Sequence, residues 1–298
     1  MATVYRATDL QSGRTVAIKL PHPEMDGDQI FAQRFQREQE IGKHFDHPGI
    51  MKVFADNHRS QNYMVTEWAE GKLLSQILSE EKKLPPERAV KIALGICQAL
   101  GYIHNHGIVH RDLKPEHVMV DSEDHIKLVD FGLAGQTGAA RITFANISQF
   151  TSSPEYISPE QVTGKRGDGR SDLYALGVML YEMVTGRAPF TGANAYAIMN
   201  DRLLRYPVPP REIDRSISPQ LQEVIYRALE REPQNRYANA HDFAFDLEHL
   251  DQVGVAERPE LQNWKKPGMA VSRRIALYAA MILLPLIIFA LLLYFARR

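Results

Sequence analysis

From Thr3 to Thr66 the chain alternates short β-branched and aromatic runs with turn residues. Thr3-Val4-Tyr5-Arg6-Ala7 and Thr15-Val16-Ala17-Ile18-Lys19 predict two strands separated by a turn around Ser12-Gly13. Ile30 to Phe45 predicts a charge-rich helix that ends at His47-Pro48-Gly49, and Ile50–Phe54 and Asn62–Thr66 predict two further strands. From Pro85 the period changes. Ala89, Ala93, Ile96, Leu100 and Ile103 recur at spacings of three and four, which places them on one helical face, with Pro86 at the start and Gly107 just past the end. Val118–Val120 and Ile126–Val129 predict a hairpin around Asp121 to Asp124. Leu173–Val184 predicts an apolar core helix, and Leu221–Leu229 and Ala240–Leu250 two closing helices. The pattern is therefore a small β-rich part followed by a larger helical part, an α+β arrangement.

Beyond residue 250 the pattern changes again. Residues 251–272 are polar and broken by Pro259 and Pro267, which predicts a linker. Ile275 to Phe295 carries no charge, and as a helix it would span roughly 31 Å, about one hydrocarbon core. The alternative is a buried core helix, but only three residues follow to cover it. Lys265, Lys266, Arg273 and Arg274 precede the segment and Arg297 and Arg298 follow it, so the charge bias favours a cytoplasmic location for the N-terminal part. The start of the chain has no charged and apolar signal pattern. A net charge of −1 gives no electrostatic reason for a nucleic-acid partner. The single cysteine, Cys97, cannot form an intrachain disulfide and sits among apolar neighbours as a core residue.

The candidate chemistry lies between these elements. Residues 110–120 read His-Arg-Asp-Leu-Lys-Pro-Glu-His-Val-Met-Val; Asp-Phe-Gly follows at 130–132 and Ser-Pro-Glu at 158–160. Upstream stand Val16-Ala17-Ile18-Lys19 and Arg34-Phe35-Gln36-Arg37-Glu38. Any one triplet is weak. The ordered set, with eighteen residues from Asp112 to Asp130, is specific. It resembles the catalytic core of eukaryotic-type Ser/Thr protein kinases over about residues 2–250, and its wording is most similar to bacterial receptor-like members.

That resemblance implies a two-lobed protein-kinase-like fold in a domain over 1–250; the polarity pattern adds a juxtamembrane linker over 251–272 and a transmembrane helix over 275–295. The resemblance implies ATP and Mg2+ as cofactors and protein Ser/Thr hydroxyls as acceptors; the His117 nitrogen makes Mn2+ the alternative to Mg2+. Lys19 would hold the α and β phosphates and Glu38 would pair with it; the plain alternatives are an exposed strand lysine and a solvated helix face, with Glu40 close by. Asp112 would be the base and Lys114 would touch the γ-phosphate. Asp130 would bind the main metal ion and His117 would stand at the second metal position. Val4 and Ala17 would roof the adenine, Met119 would floor it, Glu67 to Ala69 would form the hinge and Thr66 the gatekeeper; each could equally be a core residue. Asp172, Glu160 and Arg236 would be scaffold, the last two as a buried ion pair. Arg111 would receive a phosphate on the loop between Asp130 and Glu160, with Thr143, Ser148 and Thr151 as candidate sites and Ser153 where the family usually has Thr. Self-association for autophosphorylation and contact with membrane lipid through the C-terminal helix complete the expectation.

Two departures stand out. The family pattern is H-R-D-x-x-x-x-N, and His117 occupies the Asn position. The family also places a first strand and G-x-G-x-x-G before the valine matched by Val4, of which only Ala2 has a counterpart. The expected small lobe therefore lacks its first strand, through either an internal start or degeneration. Two functions follow: a membrane-anchored Ser/Thr kinase with reduced activity, or a pseudokinase acting as a tethered binding module.

Overall fold

A computed structural model describes residues 2–25, 29–54, 63–136 and 154–258 of the chain. The predicted span 275–295 and most of the linker lie outside these. Among the described residues no helix is long and apolar enough to cross a membrane.

The β-rich part is a four-stranded antiparallel sheet in the order β1-β2-β4-β3, from Ala2–Thr8 (β1), Thr15–Pro21 (β2), Val53–Phe54 (β3) and Met64–Glu67 (β4). Asp9 closes the β1–β2 turn by accepting from the Gln11 N–H and the Ser12 hydroxyl. Opposed residues in an antiparallel pair share a face. The register sets Val4 against Lys19, Arg6 against Ala17, Lys19 against Met64 and Ala17 against Thr66. Val4, Ala17, Lys19, Met64 and Thr66 therefore lie on one side of the sheet. Helix α1 (Gln29–Gly42) covers that side, with Phe35 packed into a small cluster with Val53 and Met64. β1 is the thinly covered edge: Val4 is 57 % exposed and Tyr5 54 %.

Ile50 was expected in the third strand of this sheet. It bridges instead to Leu128 in parallel, with the Leu128 N–H donating to Gly49 O (2.8 Å) and the Met51 N–H to Leu128 O (2.9 Å). Pro48 and Gly49 turn the chain there, so only Val53 and Phe54 reach the small sheet.

The larger part is built on α3 (Pro86–Asn105), whose predicted face is wholly buried, and α5 (Gly169–Thr185). The latter buries Leu173, Leu176, Val178, Met179, Leu180 and Tyr181 around its circumference, as a helix apolar on every side must. Its N-cap, Asp168, accepts from the Arg170 N–H. A Cβ on Gly177 would come within 2.7 Å of Ala228, so glycine is what lets α8 (Pro219–Ala228) lie against it. α9 (Ala240–Glu248) closes the core with Phe243 and Leu247. Four helices went unread in the sequence: α2 (Leu74–Glu81), α4 (Pro159–Val162), α6 (Ala195–Leu204) and α7 (Pro210–Ile213). The predicted hairpin is present as β7 (Val118–Val120) and β8 (Ile126–Leu128), joined on its outer side by β5 (Lys72–Leu73). A last pair, β6 (Ile108–Val109) and β9 (Gly135–Gln136), brackets the motif region.

Candidate active site

Lys19 on β2 and Glu38 on α1 form a two-pronged ion pair, Nζ to Oε1 at 2.9 Å and to Oε2 at 2.7 Å. It ties the helix to the sheet. Burial pushes Glu38 up to about 7 against the pull of Lys19, and the charge of Asp130 adds to the rise. Burial opposes the charge on Lys19, yet Glu38 and Asp130 outweigh it and raise its pKa. Glu40 turns away and meets Lys43 at 3.3 Å.

The His-Arg-Asp loop hangs from α5. Asp172 accepts from the backbone N–H groups of His110 and Arg111, each at 2.8 Å, and from His104 Nε2–H at 2.8 Å. Arg111 has φ +66°, a left-handed conformation that costs an L-residue about 1–2 kcal/mol. Two hydrogen bonds to a carboxylate, roughly 1.5–3 kcal/mol each, outweigh that cost. Burial alone would raise Asp172, but the bond from His104 and its neighbours' charges hold its pKa below the ordinary value. His104 escaped the sequence reading, which assigned the adjacent Ile103 to the core face and had no partner for it. Its ring lies on Gly169, where a Cβ would approach within 2.9 Å.

Asp112 stands 3.5 Å from Lys114 Nζ. Burial raises its pKa, with Lys114 pulling the other way. Asp130, at φ +65°, accepts on Oδ1 from the Gly132 N–H at 3.1 Å. Burial would raise it as well, but the Lys19 ammonium and the Gly132 bond outweigh that and depress it. The two carboxylates of the cleft thus shift in opposite directions, each set by its own neighbours.

His117 lies between them. Its Nδ1 is 2.7 Å from the Asp112 carbonyl oxygen and its Nε2 is 3.5 Å from Asp130 Oδ2. A carbonyl only accepts, so Nδ1 carries the hydrogen. Burial lowers the His117 pKa. Among the described residues no three His, Cys, Asp or Glu side chains cluster as a complete metal cage. Asp130 and His117 nevertheless suit a divalent cation that completes its shell with phosphate or water oxygens. The carboxylate gives charge and the ring gives a directed lone pair.

The remaining candidates divide. Val4, Ala17 and Thr66 share the Lys19 face by register. Glu67 accepts Lys127 Nζ at 2.9 Å, and Lys127 pairs with Met119, so the end of β4 is fastened to the hairpin that bears Met119. The Glu67 N–H is donated to Lys52 O, and Ala69 is half-buried. Glu160 and Arg236 form the predicted buried pair, at 2.9 and 2.6 Å, with Ser171 Oγ donating to Glu160 at 2.6 Å. Arg111 is pushed down to about 10, chiefly by burial and by Arg166. Thr143, Ser148, Thr151 and Ser153 lie outside the described residues. Sequence reasoning also missed Arg202, a fully buried cation on α6 that donates to Pro154 O at 2.8 Å and to Glu155 O. A cavity of about 590 Å³ among Pro159, Thr163, Arg170, Leu203 and Arg231 is lined by none of Lys19, Glu38, Asp112, Lys114 or Asp130. With no potential base or cation site of that set in it, it is set apart from the candidate chemistry.

Residues 1–245 match the family model described as the protein kinase domain. A probable serine/threonine-protein kinase of Streptomyces coelicolor is 36% identical over 253 residues, covering 83% of this chain and 38% of that protein. The serine/threonine-protein kinase PknB of Mycolicibacterium smegmatis is 33% identical over 267 residues, 88% of this chain and 43% of that protein. A probable serine/threonine-protein kinase of Clostridium perfringens is 35% identical over 251 residues, 84% of this chain and 36% of that protein. The chain thus spans about two fifths of the length of these relatives.

Proposed function

We propose, from the premise that this chain belongs to the protein kinase domain family, that it transfers the γ-phosphoryl group of ATP to Ser or Thr hydroxyls of proteins. The observation that carries this is the closed Lys19–Glu38 pair, at 2.7 and 2.9 Å, facing the Asp112–Asp130 cleft. Phosphoryl transfer asks a protein chiefly for positioning and charge. Lys19, fixed by Glu38, orients the α and β phosphates. Asp112 accepts the proton of the acceptor hydroxyl, and its raised pKa suits a base better than a fully depressed one would. Lys114 neutralises the γ-phosphate beside it. Asp130 and His117 would hold a divalent ion, which would supply positive charge to offset that of the phosphates. Val4, Ala17 and Met119 enclose the adenine and Glu67 to Ala69 line its polar edge.

The test is γ-phosphate transfer by the full chain against Asp112→Asn. Loss of a positioned base lowers the rate by about 100- to 10,000-fold. A second reading, a binding module without transfer, draws on His117 standing 3.5 Å from Asp130. Nucleotide binding with equal, background transfer in both proteins selects it.

The same reading extends to location and regulation. Residues 275–295 anchor the chain as a single membrane pass with the kinase domain in the cytoplasm, aided by anionic lipid at Lys265, Lys266, Arg273 and Arg274, each worth about 1 kcal/mol near the surface. Release from membranes on deletion of 275–298 supports this; unchanged partition contradicts it. Autophosphorylation between copies would place phosphate on Thr143, Ser148 or Thr151, a negative charge for which Arg111 is the proposed partner. Phosphosite mapping after incubation with ATP checks it, and an unmodified 137–153 segment counts against it.

A further inference from the structure

We infer that His117 turns the metal position of this cleft into a mixed nitrogen–oxygen site, which favours a first-row transition cation such as Mn2+ over Mg2+. The inference rests on the phosphate-binding reading of the cleft given above, and it concerns which atom of this chain meets the cation.

The argument is one of tautomer and aim. His117 Nδ1 lies 2.7 Å from the Asp112 carbonyl oxygen, so that nitrogen donates and its hydrogen is committed. In the neutral ring the lone pair is then on Nε2. Nε2 points at Asp130, with 3.5 Å to Oδ2. The other Asp130 oxygen is engaged by the Gly132 N–H at 3.1 Å, leaving Oδ2 as the oxygen turned toward the ring. In the neutral ring these two lone-pair atoms face each other at a separation that lets one cation bind both at their edge. An imidazole that donates one N–H to a carbonyl and turns the other nitrogen outward is the usual second-shell arrangement of a metal-bound histidine.

The ring has little freedom to leave this pose. Its side chain is 10% exposed. It stacks on His110 at 5.9 Å with 29° between planes, and His110 in turn packs on Phe131 at 5.2 Å. The backbone to which it bonds belongs to Asp112, the proposed base, so the metal ligand and the base are fastened together through one hydrogen bond.

Ligand chemistry then sets the preference. Mg2+ is hard and holds oxygen donors, whereas imidazole nitrogen suits the borderline first-row ions. An Asn at this place would offer oxygen. His117 offers nitrogen, so the ratio of transition-metal to Mg2+ affinity rises in this chain and falls in His117→Asn.

The experiment uses the full chain with Mn2+ and a non-hydrolysable ATP analogue. Pulsed electron paramagnetic resonance reads nitrogen coupling on the bound Mn2+. We expect modulation from one imidazole in the wild type and none in His117→Asn. Competition by Mg2+ should also become about ten-fold easier in the variant. Bound Mn2+ without imidazole coupling in the wild type overturns the inference, and that reading does not depend on the variant folding. Coupling that persists in His117→Asn assigns it to another histidine and overturns it too. Fluorescent ATP-analogue binding separates the two levels. Nucleotide bound with oxygen-only Mn2+ removes this inference and leaves the kinase reading; no nucleotide bound with either metal removes both.

Discussion

The two walls of the cleft are held by different physics. On the sheet side, Lys19 is positioned by one ion pair to a helix whose buried apolar contacts are Phe35, Val53 and Met64. On the helical side, the His-Arg-Asp loop hangs from a buried carboxylate that takes three hydrogen bonds, above a continuous core running from Phe45 to Leu247. The sheet wall is thinly supported and the helical wall is the fixed one. Damage to the first should therefore appear as lost rate, and damage to the second as lost stability.

The largest expected effect is on the fixed wall. Glu160→Ala leaves Arg236, itself fully buried, without its carboxylate; removing one partner of such a pair costs about 3–5 kcal/mol. Chemical denaturation measures it, and a loss under about 1 kcal/mol would place the pair outside the core. Next comes Glu38→Gln on the thinly supported wall. It frees Lys19 and should slow transfer on the order of 100-fold, as misplaced reacting groups do. Its melting temperature should stay near wild type; a large drop would erase the contrast between the walls.

A smaller effect on the fixed wall tests His104. His104→Leu removes a donor to Asp172 and should lower the unfolding free energy by about 1.5 kcal/mol, while His104→Gln, which keeps a donor, should restore much of it. If Leu and Gln behave alike, the ring acts only by filling space over Gly169. The mildest perturbation is pH. Glu160 and Asp172 have folded pKa values below their ordinary 4.5 and 3.8. Their contribution is complete above those ordinary values and disappears as pH falls through the depressed ones, because the unfolded chain then binds protons first. Denaturation midpoints should thus be flat near neutrality in respect of these two groups and fall below about pH 4.5. In Glu160→Gln that acid loss should be reduced; an unchanged acid limb would assign it elsewhere.

The two walls also differed in how far sequence could reveal them. Periodicity located α3 because Ala89 to Ile103 repeats on one face, and local motif order located Lys19, Asp112 and Asp130. Ile50 was misplaced because a strand-like run of five residues does not say which sheet receives it; the Leu128 bridge is a tertiary fact. The helices of 195–204 and 74–81 were missed since polar residues interrupt their apolar spacing, and caps such as Asn194 were passed over. His104 and Arg202 were invisible for a related reason. A polar side chain is buried only where partners far along the chain satisfy it, and sequence alone did not pair His104 with Asp172 or Arg202 with Pro154. The Glu160–Arg236 pair was reached through resemblance, and spacing alone would not have joined them.

The most direct measurement is phosphate transfer from γ-labelled ATP by the full chain to a protein acceptor, followed by identification of the labelled amino acid, with Asp112→Asn alongside. The account predicts phosphoserine or phosphothreonine from the wild type and a loss of at least about 100-fold in the variant. Bound nucleotide with no difference between the two proteins would contradict it.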